Sequence, residues 1–413
     1  MPAAECFVRE ETMKYAIILC DGMADEPLEE LEGRTPLEAA DTPNMDRLAK
    51  TAEIGMVRTV PEGMSPGSDT ANLSVIGYDP KLYYSGRSPL EALSIGVDMK
   101  PDDVSFRCNL VTLSEEEQNY ADKKILDHSS GEISTEDAAV LLDALKTGLA
   151  REGYQFYVGT SYRHLLIWNH GKLRELTAPH DILTKRIGEY LPQDEVLREM
   201  MEKSYEILKN HPINAARREK GLNPANSAWF WGAGTRPALT SFEEKNHVKG
   251  AMISAVDLLK GIAVGAGMDN IIVEGANGGL NTNYAGKGRA AVKALTEDGY
   301  DFVYVHIEAP DEMGHQGSFR DKMTAIERID RDIIGPVKDS LAALGEPLRM
   351  LVLPDHPTPV RVRTHTGSPV PYMLYDSEKT FAGADAYNER SGEASGIFEP
   401  EGYTLLSHLL GRK

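Results

Sequence analysis

Four short apolar runs, each followed by Asp, Gly, Pro or His and then by a helical pattern, constrain the fold of this chain more than any other feature. They cover residues 15–20, 270–273, 301–307 and 349–353, and nearly every position in them is apolar. Strands that are buried on both faces of a parallel sheet need such a composition, whereas half-exposed strands alternate. The pattern predicts an α/β fold with a mainly parallel sheet flanked by helices.

Helical periodicity is visible between these runs. Thr42 is predicted to cap a helix that starts at Pro43, and residues 319–344 are predicted to form a long helix with a kink at Pro336. Residues 286–295 are expected to connect two strands as a helix. The middle of the chain has a different pattern, with helices expected over 135–149, 196–209 and 214–221 and short alternating or edge strands over 154–158 and 164–168.

A chain of 413 residues exceeds what one compact core usually holds, so more than one domain is expected. Residues 107–255 are predicted to be an inserted α+β domain. Residues 13–106 and 256–413 are then predicted to build the sheet domain from both ends of the chain. Within the insert, the Gly and Pro residues around 232–237 favour a loop that faces the site between the domains.

The charge balance restricts the partners. The chain has 44 Lys and Arg against 64 Asp and Glu, a net charge of −20, which argues against nucleic acid or anionic lipid as a partner. An anionic small molecule would need a local cationic centre. Membrane insertion is not expected, because the chain has no apolar run of about 20 residues.

Cysteine use indicates the compartment. Cys6, Cys20 and Cys108 show no zinc-binding spacing and are few, which favours a reducing compartment, with the cytoplasm as the expected location. Residues before Met13 are predicted to be an unstructured leader. The oligomeric state stays open at this level.

Polar side chains follow the predicted strands, and this is the main functional signal. Ligands bind outside the carboxyl ends of strands in open α/β sheets, so these side chains are expected to converge. The set of three Asp and three His suits two divalent ions, with Mn²⁺, Zn²⁺, Co²⁺ or Mg²⁺ favoured over Ca²⁺. Its members are Asp21, Asp311, His315, Asp355, His356 and His365.

Each member also has a plainer interpretation. Asp21 precedes a glycine, and Asp-Gly is common in turns. A turn residue and a metal ligand are therefore equally good interpretations of Asp21 alone. For Asp355 and His356, which lie between Pro354 and Pro357, the ligand interpretation is favoured because the prolines end regular strand pairing.

Ser68 follows a Pro-Gly turn and precedes a helical pattern. That position near a helix N-terminus stabilises an anion, so Ser68 is a candidate nucleophile in phosphoryl transfer. From the segment alone, a simple N-cap serine is the more frequent role of such a residue. Coordination to a metal ion would convert it to a strong nucleophile.

Five motifs in order resemble the alkaline-phosphatase superfamily, and within it the cofactor-independent phosphoglycerate mutases of the archaeal type, which also occur in bacteria. They are CDG at 20–22, PGSDTAN at 66–72, APDEMGH at 309–315, LPDHPTP at 353–359 and RTHT at 363–366. The resemblance implies an alkaline-phosphatase-like fold and an isomerase that moves a phosphoryl group between 3-phosphoglycerate and 2-phosphoglycerate. It also implies that the inserted domain is a substrate-binding cap that keeps water from a phosphoserine.

The resemblance assigns roles by position. One metal would be bound by Asp21, Ser68, Asp355 and His356, and the other by Asp311, His315 and His365, with Mn²⁺ as the first expectation. Ser68 would carry the phosphoryl group. The substrate is expected to be bound by Arg107, Arg163, Arg217 and Arg236, with Asn109 and His164 as hydrogen-bonding partners and His128 as a proton carrier. For each arginine a surface ion pair is an equally good interpretation.

Two departures from the archaeal mutases leave the substrate open. The insert has Asp127-His128-Ser129-Ser130-Gly131-Glu132 where an Arg-rich segment is typical, and Glu308 lies in the metal loop where a lysine is typical. These features resemble a bacterial subgroup proposed to act as homoserine kinase. An ATP-dependent homoserine kinase and a metal-dependent hydrolase of phosphate esters are therefore the alternatives to the mutase.

Overall fold

The computed structural model describes residues 13–412, which divide into two compact units. Unit 1 contains the described residues up to Tyr84 and from Ala238 onward, and unit 2 is Ser85–Pro237. The predicted leader before Met13 lies outside the described residues. The boundaries lie at 84/85 and 237/238 and not at the predicted positions 106/107 and 255/256. The helix Arg87–Ser94 packs on the sheet of unit 2, and the strand Gly250–Ile253 belongs to the sheet of unit 1.

Within residues 13–412 the strands are β1 Lys14–Cys20, β2 Glu53–Val57, β3 Val104–Leu113, β4 Ile125–Asp127, β5 Tyr154–Thr160, β6 Arg163–Trp168, β7 Ser227–Thr235, β8 Gly250–Ile253, β9 Asp269–Asn270, β10 Phe302–Ile307, β11 Leu348–Leu353, β12 Val370–Asp376 and β13 Phe398–Glu399.

The α-helices are α1 Pro36–Ala39, α2 Pro43–Ala49, α3 Ser68–Val75, α4 Pro80–Tyr83, α5 Arg87–Ser94, α6 Thr135–Gly148, α7 Glu195–Leu208, α8 Pro212–Glu219, α9 Phe242–Asn246, α10 Asp257–Gly265, α11 Tyr284–Thr296, α12 Ala309–Gln316, α13 Phe319–Ile329, α14 Gly335–Leu344, α15 Glu389–Ala394 and α16 Leu405–Leu409. None of the helices in this described part combines the length and the apolar character that crossing a membrane requires.

The sheet of unit 1 has eight strands in the order β13-β2-β12-β11-β1-β10-β8-β9. The central strand β1 is parallel to both of its neighbours, β10 and β11, and β8 extends the parallel set beyond β10. Only β12 runs antiparallel to its neighbours. The predicted mixed α/β fold with a mainly parallel sheet is confirmed, and the runs at 15–20, 301–307 and 349–353 are the three adjacent strands β1, β10 and β11.

The run at 270–273 was predicted to be a buried strand, and this prediction is wrong for most of its length. Only Asp269–Asn270 pairs with β8, and Ile272 is 72% exposed. This strand lies at the edge of the sheet, so its apolar residues are not covered on both sides. The parallel strand on the other side of β8 is β10, and β8 itself was missed because it has only four residues.

Residues 319–344 form one continuous helical segment in three parts: α13, a π-helical turn at Asp330–Ile334, and α14. Proline provides no N–H donor, and the π turn lies directly before Pro336. The Asp330 carboxylate accepts hydrogen bonds from the backbone N–H groups of Asn44 and Met45 at 3.1 and 2.6 Å. It therefore caps α2, whereas the Thr42 side chain makes no capping bond to the described backbone.

Unit 2 is built on an antiparallel sheet in which β3 pairs with β4, β6 and β7, and β5 is added beyond β6. The predicted helices correspond to α6, α7 and α8, and the predicted strands to β5 and β6. The loop predicted at 232–237 is mostly strand, because β7 extends to Thr235 and pairs with Val104. The sequence pattern does not predict the end of this strand, because Gly232, Ala233 and Gly234 have small side chains that give no strand signal.

Candidate active site

Three neighbouring parallel strands end at the same edge of the unit 1 sheet and place three carboxylates there. Asp21 follows β1, Asp311 lies in the first turn of α12 after β10, and Asp355 follows β11. Asp21, Asp311 and Asp355 are 2%, 5% and 0% exposed. Three buried carboxylates repel one another unless cations or donors compensate for them, so this edge of the sheet is the candidate site.

Asp311, His315 and His365 form the first group of metal-binding donors. The four-residue spacing on α12 puts Asp311 and His315 on one face, with Asp311 Oδ2 3.1 Å from His315 Nε2. His365 Nε2 lies 3.4 Å from Asp311 Oδ1 and 3.1 Å from His315 Nε2. All three side chains predicted for this metal therefore converge.

The orientation of the two imidazoles in this group requires a positive species between them. His315 Nδ1 lies 3.0 Å from the Arg363 carbonyl, and His365 Nδ1 lies 3.3 Å from the Pro66 carbonyl. Carbonyl oxygens only accept, so each Nδ1 carries hydrogen and each Nε2 presents a lone pair. A proton can lie between the two Nε2 atoms. In agreement with this, the hydrogen bond with Asp311 raises the pKa of His315 to about 9. A divalent cation fits the same donors.

Asp21, Asp311 and His356 form a second group whose donor atoms converge. His356 is fully buried, and its Nε2 lies 3.7 Å from Asp21 Oδ1 and 3.4 Å from Asp355 Oδ2. Burial, together with the charges of Asp355 and Asp311, raises the pKa of Asp21 well above its usual range. Its Oδ1 is buried and has no hydrogen-bond partner among the described residues. Such an orphaned acceptor fits a cation ligand.

The charge of Asp311 is stabilised differently. Burial alone would raise its pKa, but hydrogen bonds from His315 and His365, in the form in which Nε2 carries a proton, hold the pKa of Asp311 well below its usual range. Thr358 also donates its hydroxyl hydrogen to Asp311. Asp311 is thus ionised next to both donor groups, whereas the resemblance assigns it to only one metal.

Ser68 is the first residue of α3, and the N-cap position is Gly67. Its Oγ is 3.1 Å from His356 Nε2. The alternative that Ser68 is an N-cap serine is therefore wrong, because its hydroxyl is directed to the donor cluster and does not cap the helix. Nearby Asn72 donates to both the Ser68 carbonyl and Asp355 Oδ2 at 2.8 Å, which fixes the start of α3 against the strand ends.

His306 and Ser254 are part of this site and were not predicted. His306 Nε2 is 2.8 Å from Asp21 Oδ2, and His306 Nδ1 is 3.1 Å from Ser254 Oγ. A signal was present in the sequence, because a histidine inside an otherwise apolar buried strand must have polar partners. The sequence does not reveal that these partners lie on the two neighbouring strands.

A second set of predicted residues lies in unit 2. Arg107 and Asn109 are two residues apart on β3, and Arg163 on β6 is directly opposite Asn109, so these three share one face of the sheet. Arg107 Cζ lies 4.5 Å from the centre of the Trp231 ring, and Trp231 Nε1–H donates to Asn109 Oδ1 at 3.0 Å. The structure thus places two of the predicted substrate residues around a tryptophan that was not predicted.

His128 and His180 extend this cluster. The Asn109 amide donates to the His128 carbonyl at 3.3 Å, and the His180 ring lies edge-on to the rings of His128 and Trp231 at 6.0 and 5.2 Å. Burial, together with the nearby charge of Arg107, lowers the pKa of His180, although Asp181 acts in the opposite direction. His180 was missed because nothing in its local sequence connects it with β3. The permanent positive charges on this sheet face are those of Arg107, which is paired with Glu91, and Arg163.

The structure corrects the predicted role of His164. This residue pairs with Cys108, which belongs to the apolar core of unit 2, so it lies on the opposite face from Asn109 and Arg163. It is 1% exposed, and its Nδ1 accepts a hydrogen bond from the Gly159 N–H at 3.1 Å. Burial lowers the pKa of His164 to about 4. It is a neutral core histidine and not a partner of Arg107.

Arg217 and Arg236 have different surroundings. The Arg217 guanidinium is 6% exposed and donates to the carbonyls of Asn223 and Ser130 at 2.9 and 2.6 Å. These bonds give Arg217 a positioning role on the turn that follows His128. Arg236 is exposed directly after β7. Contact of either arginine with a substrate stays a prediction.

Known proteins resemble the whole chain. A family model described as 2,3-bisphosphoglycerate-independent phosphoglycerate mutase matches residues 49–214. A Methanosarcina barkeri protein of that name is 48% identical over 405 residues, covering 97% of this chain and 98% of the relative. A solved structure from Pyrococcus horikoshii has TM-score 0.79 at 33% identity, covering 97% of this chain and 98% of its own. The cofactor-independent phosphoglycerate mutase of Thermoplasma acidophilum has TM-score 0.63 at 29% identity, covering 97% and 99%.

Proposed function

This chain belongs to the 2,3-bisphosphoglycerate-independent phosphoglycerate mutase family, and we propose that it interconverts 3-phosphoglycerate and 2-phosphoglycerate through a phosphorylated Ser68. The observation that carries the proposal is the position of Ser68 Oγ, 3.1 Å from His356 Nε2 at the first turn of α3. A hydroxyl in that place lies next to a convergent set of metal-binding donors and at the positive end of a helix. The enzyme is an isomerase.

We propose that one divalent ion is held by Asp21, Ser68, Asp355 and His356, and a second ion by Asp311, His315 and His365, with Mn²⁺ as the first candidate. The orphaned Oδ1 of Asp21 and the facing Nε2 lone pairs of His315 and His365 support this assignment. When bound, such ions stabilise an ionised hydroxyl and neutralise charge on a transferring phosphoryl group.

The transfer has two balanced halves. Ser68 Oγ bonds to the phosphorus of 3-phosphoglycerate, the bond from phosphorus to the 3-oxygen breaks, and the proton lost from Ser68 ends on that 3-oxygen. The 2-hydroxyl of the glycerate then bonds to the same phosphorus, the bond to Ser68 Oγ breaks, and Ser68 regains a proton. Because Ser68 begins α3, the positive end of the helix dipole stabilises the phosphoryl oxygens.

Unit 2 supplies the charge that an anionic substrate requires. We propose that Arg163, which is exposed on the same sheet face as Asn109, binds the substrate's negative groups. Arg107 forms an ion pair with Glu91 at 3.0 Å and lies over Trp231, so it is held rigidly in that face. A rigid guanidinium loses little entropy on binding a carboxylate or phosphate.

The kinase and hydrolase alternatives are not favoured, because the relatives that match nearly the whole chain are named as mutases. We also propose a cytoplasmic location. Cys20 and Cys108 are buried and unpaired, which fits a reducing compartment.

The three activities can be separated in one experiment. The purified chain is incubated with Mn²⁺ and 3-phosphoglycerate in ¹⁸O-labelled water, with or without ATP and homoserine, and followed by ³¹P NMR and mass spectrometry. A mutase forms 2-phosphoglycerate without labelled phosphate and without ADP. Labelled inorganic phosphate as the main product would instead identify a hydrolase, and ADP formed only with homoserine would identify a kinase. Either result would refute the proposal.

A further inference from the structure

His306 lies within the central part of the unit 1 sheet and is fully buried. It belongs to β10, between β1 and β8. Its ring contacts one polar group from each side: Asp21 follows β1, and Ser254 follows β8. The two neighbouring strands therefore supply the partners of both ring nitrogens.

The hydrogen bonds around His306 run in one direction. Ser254 Oγ accepts a hydrogen bond from the Val256 N–H at 3.0 Å, so its own hydrogen is available for His306 Nδ1 at 3.1 Å. With Nδ1 as acceptor, the ring hydrogen is on Nε2 and is donated to Asp21 Oδ2 at 2.8 Å. Lys287 Nζ also donates to the His306 carbonyl at 2.7 Å, which fixes the backbone of this residue.

This arrangement orients Asp21 without neutralising it. One carboxylate oxygen is held by a neutral donor, and the other, Oδ1, has no hydrogen-bond partner among the described residues. Because this donor is neutral, it does not compensate the charge that a cation at Oδ1 would bind. Outer partners of this kind commonly orient metal ligands in proteins.

Two other buried carboxylates of unit 1 can be compared with Asp21. Asp355 is also held by neutral donors, the backbone N–H groups of Gly22 and His356 and the Asn72 amide. Asp25, which no metal group contains, is instead paired with the buried Lys322 ammonium at 2.7 Å. Asp21 and Asp355 thus both receive neutral donors, whereas Asp25 is paired with a cation.

We propose that His306, directed by Ser254, is a positioning residue that holds Asp21 in the orientation in which its Oδ1 ligates a divalent ion. This inference rests on the proposed function, in which Asp21 is a metal ligand. It adds two residues that act through Asp21 and do not touch the ion.

The test uses two substitutions of the same residue. In His306→Gln, an amide N–H lies near the place of Nε2 and can still donate to Asp21. In His306→Asn, the shorter amide matches Nδ1 and does not reach Asp21. Ser254→Ala removes the group that selects the tautomer. Ser74→Ala is the control, because it removes a fully buried hydroxyl of unit 1 that has no hydrogen-bond partner among residues 13–412.

The full-length protein is stripped of metal and titrated with Mn²⁺, with the free ion measured by electron paramagnetic resonance. We expect His306→Asn to weaken one of two sites by about tenfold or more, while His306→Gln and Ser74→Ala stay within about threefold of the wild type. In the ¹⁵N spectrum, the His306 ring should be the Nε2–H tautomer in the wild type and a mixture of tautomers in Ser254→Ala.

Specific results would overturn the inference. Wild-type protein with two bound ions and an unchanged His306→Asn variant would refute it while leaving the proposed function intact. Equal weakening by Gln and Asn would show that the ring matters only for packing. Wild-type protein that binds no Mn²⁺ would refute the proposed metal site and this inference together. If His306→Asn does not fold, an unchanged His306 tautomer and unchanged Mn²⁺ affinity in Ser254→Ala would refute the inference.

Discussion

The strand-end cluster of unit 1 and the sheet-face cluster of unit 2 differ in how well the sequence predicts them. In unit 1, all seven predicted side chains are near one another at the ends of three adjacent parallel strands. In unit 2, Arg107, Asn109 and Arg163 share a face, but His164 lies on the other face and Arg217 binds backbone carbonyls.

The difference follows from sheet geometry. Residues after parallel strands meet at one edge whatever the detailed register, so knowing the strands is enough to place Asp21, Asp311 and Asp355 together. A residue within an antiparallel strand goes to one face or the other, and a shift of one position exchanges the faces. Adjacent residues such as Arg163 and His164 are therefore certain to differ, and only the pairing shows which of them is buried.

The largest expected effect tests the unit 1 cluster. Ser68→Ala should lower turnover at least about a thousandfold, because the other hydroxyl groups of α3, on Thr70 and Ser74, are buried and cannot replace it as the nucleophile. Stability should change by less than about 1 kcal/mol, since Gly67 and not Ser68 is the N-cap. Mass spectrometry of protein quenched during turnover should find phosphate on the Ser68 peptide of the wild type only.

Ser65→Ala is the control for this variant, because Ser65 is exposed and lies three residues earlier. It should keep wild-type turnover. A Ser68→Ala protein that retained more than about a tenth of the activity, or ~1.4 kcal/mol of barrier, would show that Ser68 is not the nucleophile.

The second prediction separates the two donor groups of unit 1. His315→Ala should lose one of two bound divalent ions and Asp355→Asn should lose the other, because each residue is proposed to ligate a different ion. Elemental analysis without metal in the buffer measures this, and affinities should fall by about a hundredfold or more. His408→Ala, a partly exposed histidine of unit 1, should keep both ions. Loss of both ions in either ligand variant would mean that Asp311 couples the groups into one site.

The third prediction tests the face assignment in unit 2. Arg163→Met should raise KM and lower kcat/KM about tenfold, ~1.4 kcal/mol, with almost unchanged stability, because Arg163 is exposed. His164→Gln should do the opposite, leaving kcat/KM within about threefold and lowering the free energy of unfolding by about 1 kcal/mol. Steady-state kinetics and urea unfolding measure the two effects. The reverse result would assign His164 to the substrate side of the sheet.

The smallest effect concerns a partly buried carboxylate that no metal group contains. Glu389 accepts hydrogen bonds from the Asp25 N–H at 3.1 Å and the Thr35 hydroxyl at 2.7 Å, and burial raises its pKa to about 7. Between about pH 4.5 and 7 the folded protein keeps a proton that the unfolded chain releases. The resulting stabilisation is complete below about pH 4.5 and is lost as the pH rises to 7.

Glu389→Gln removes this titration. The free energy of unfolding of the wild type relative to the Gln variant should fall by about 1–2 kcal/mol from pH 5 to pH 8, measured by denaturant unfolding at both pH values. A constant difference would mean that the pKa of Glu389 is not raised in the folded state. Glu393→Gln, a change on the exposed side of the same short helix, should show no such dependence.

The sequence by itself determined the sheet core and the residues at its strand ends. Nearly continuous apolar runs identify β1, β10 and β11, and the polar residues directly after them can only lie at the common edge. The Pro-Gly lead-in to Ser68 likewise indicates a helix start, because proline fixes its own φ and glycine readily adopts turn conformations.

The tertiary structure alone decided every contact that depends on register or on distant segments. The prediction that residues 270–273 are buried failed because β9 is an edge strand, and no local sequence pattern shows which strand lies at the edge. His164 is a core residue because it pairs with Cys108. The hydrogen-bond partners of His306 lie directly after the two neighbouring strands. Such contacts join residues far apart in sequence, and their geometry is set by the packing of whole elements. Local composition is therefore insufficient to predict them.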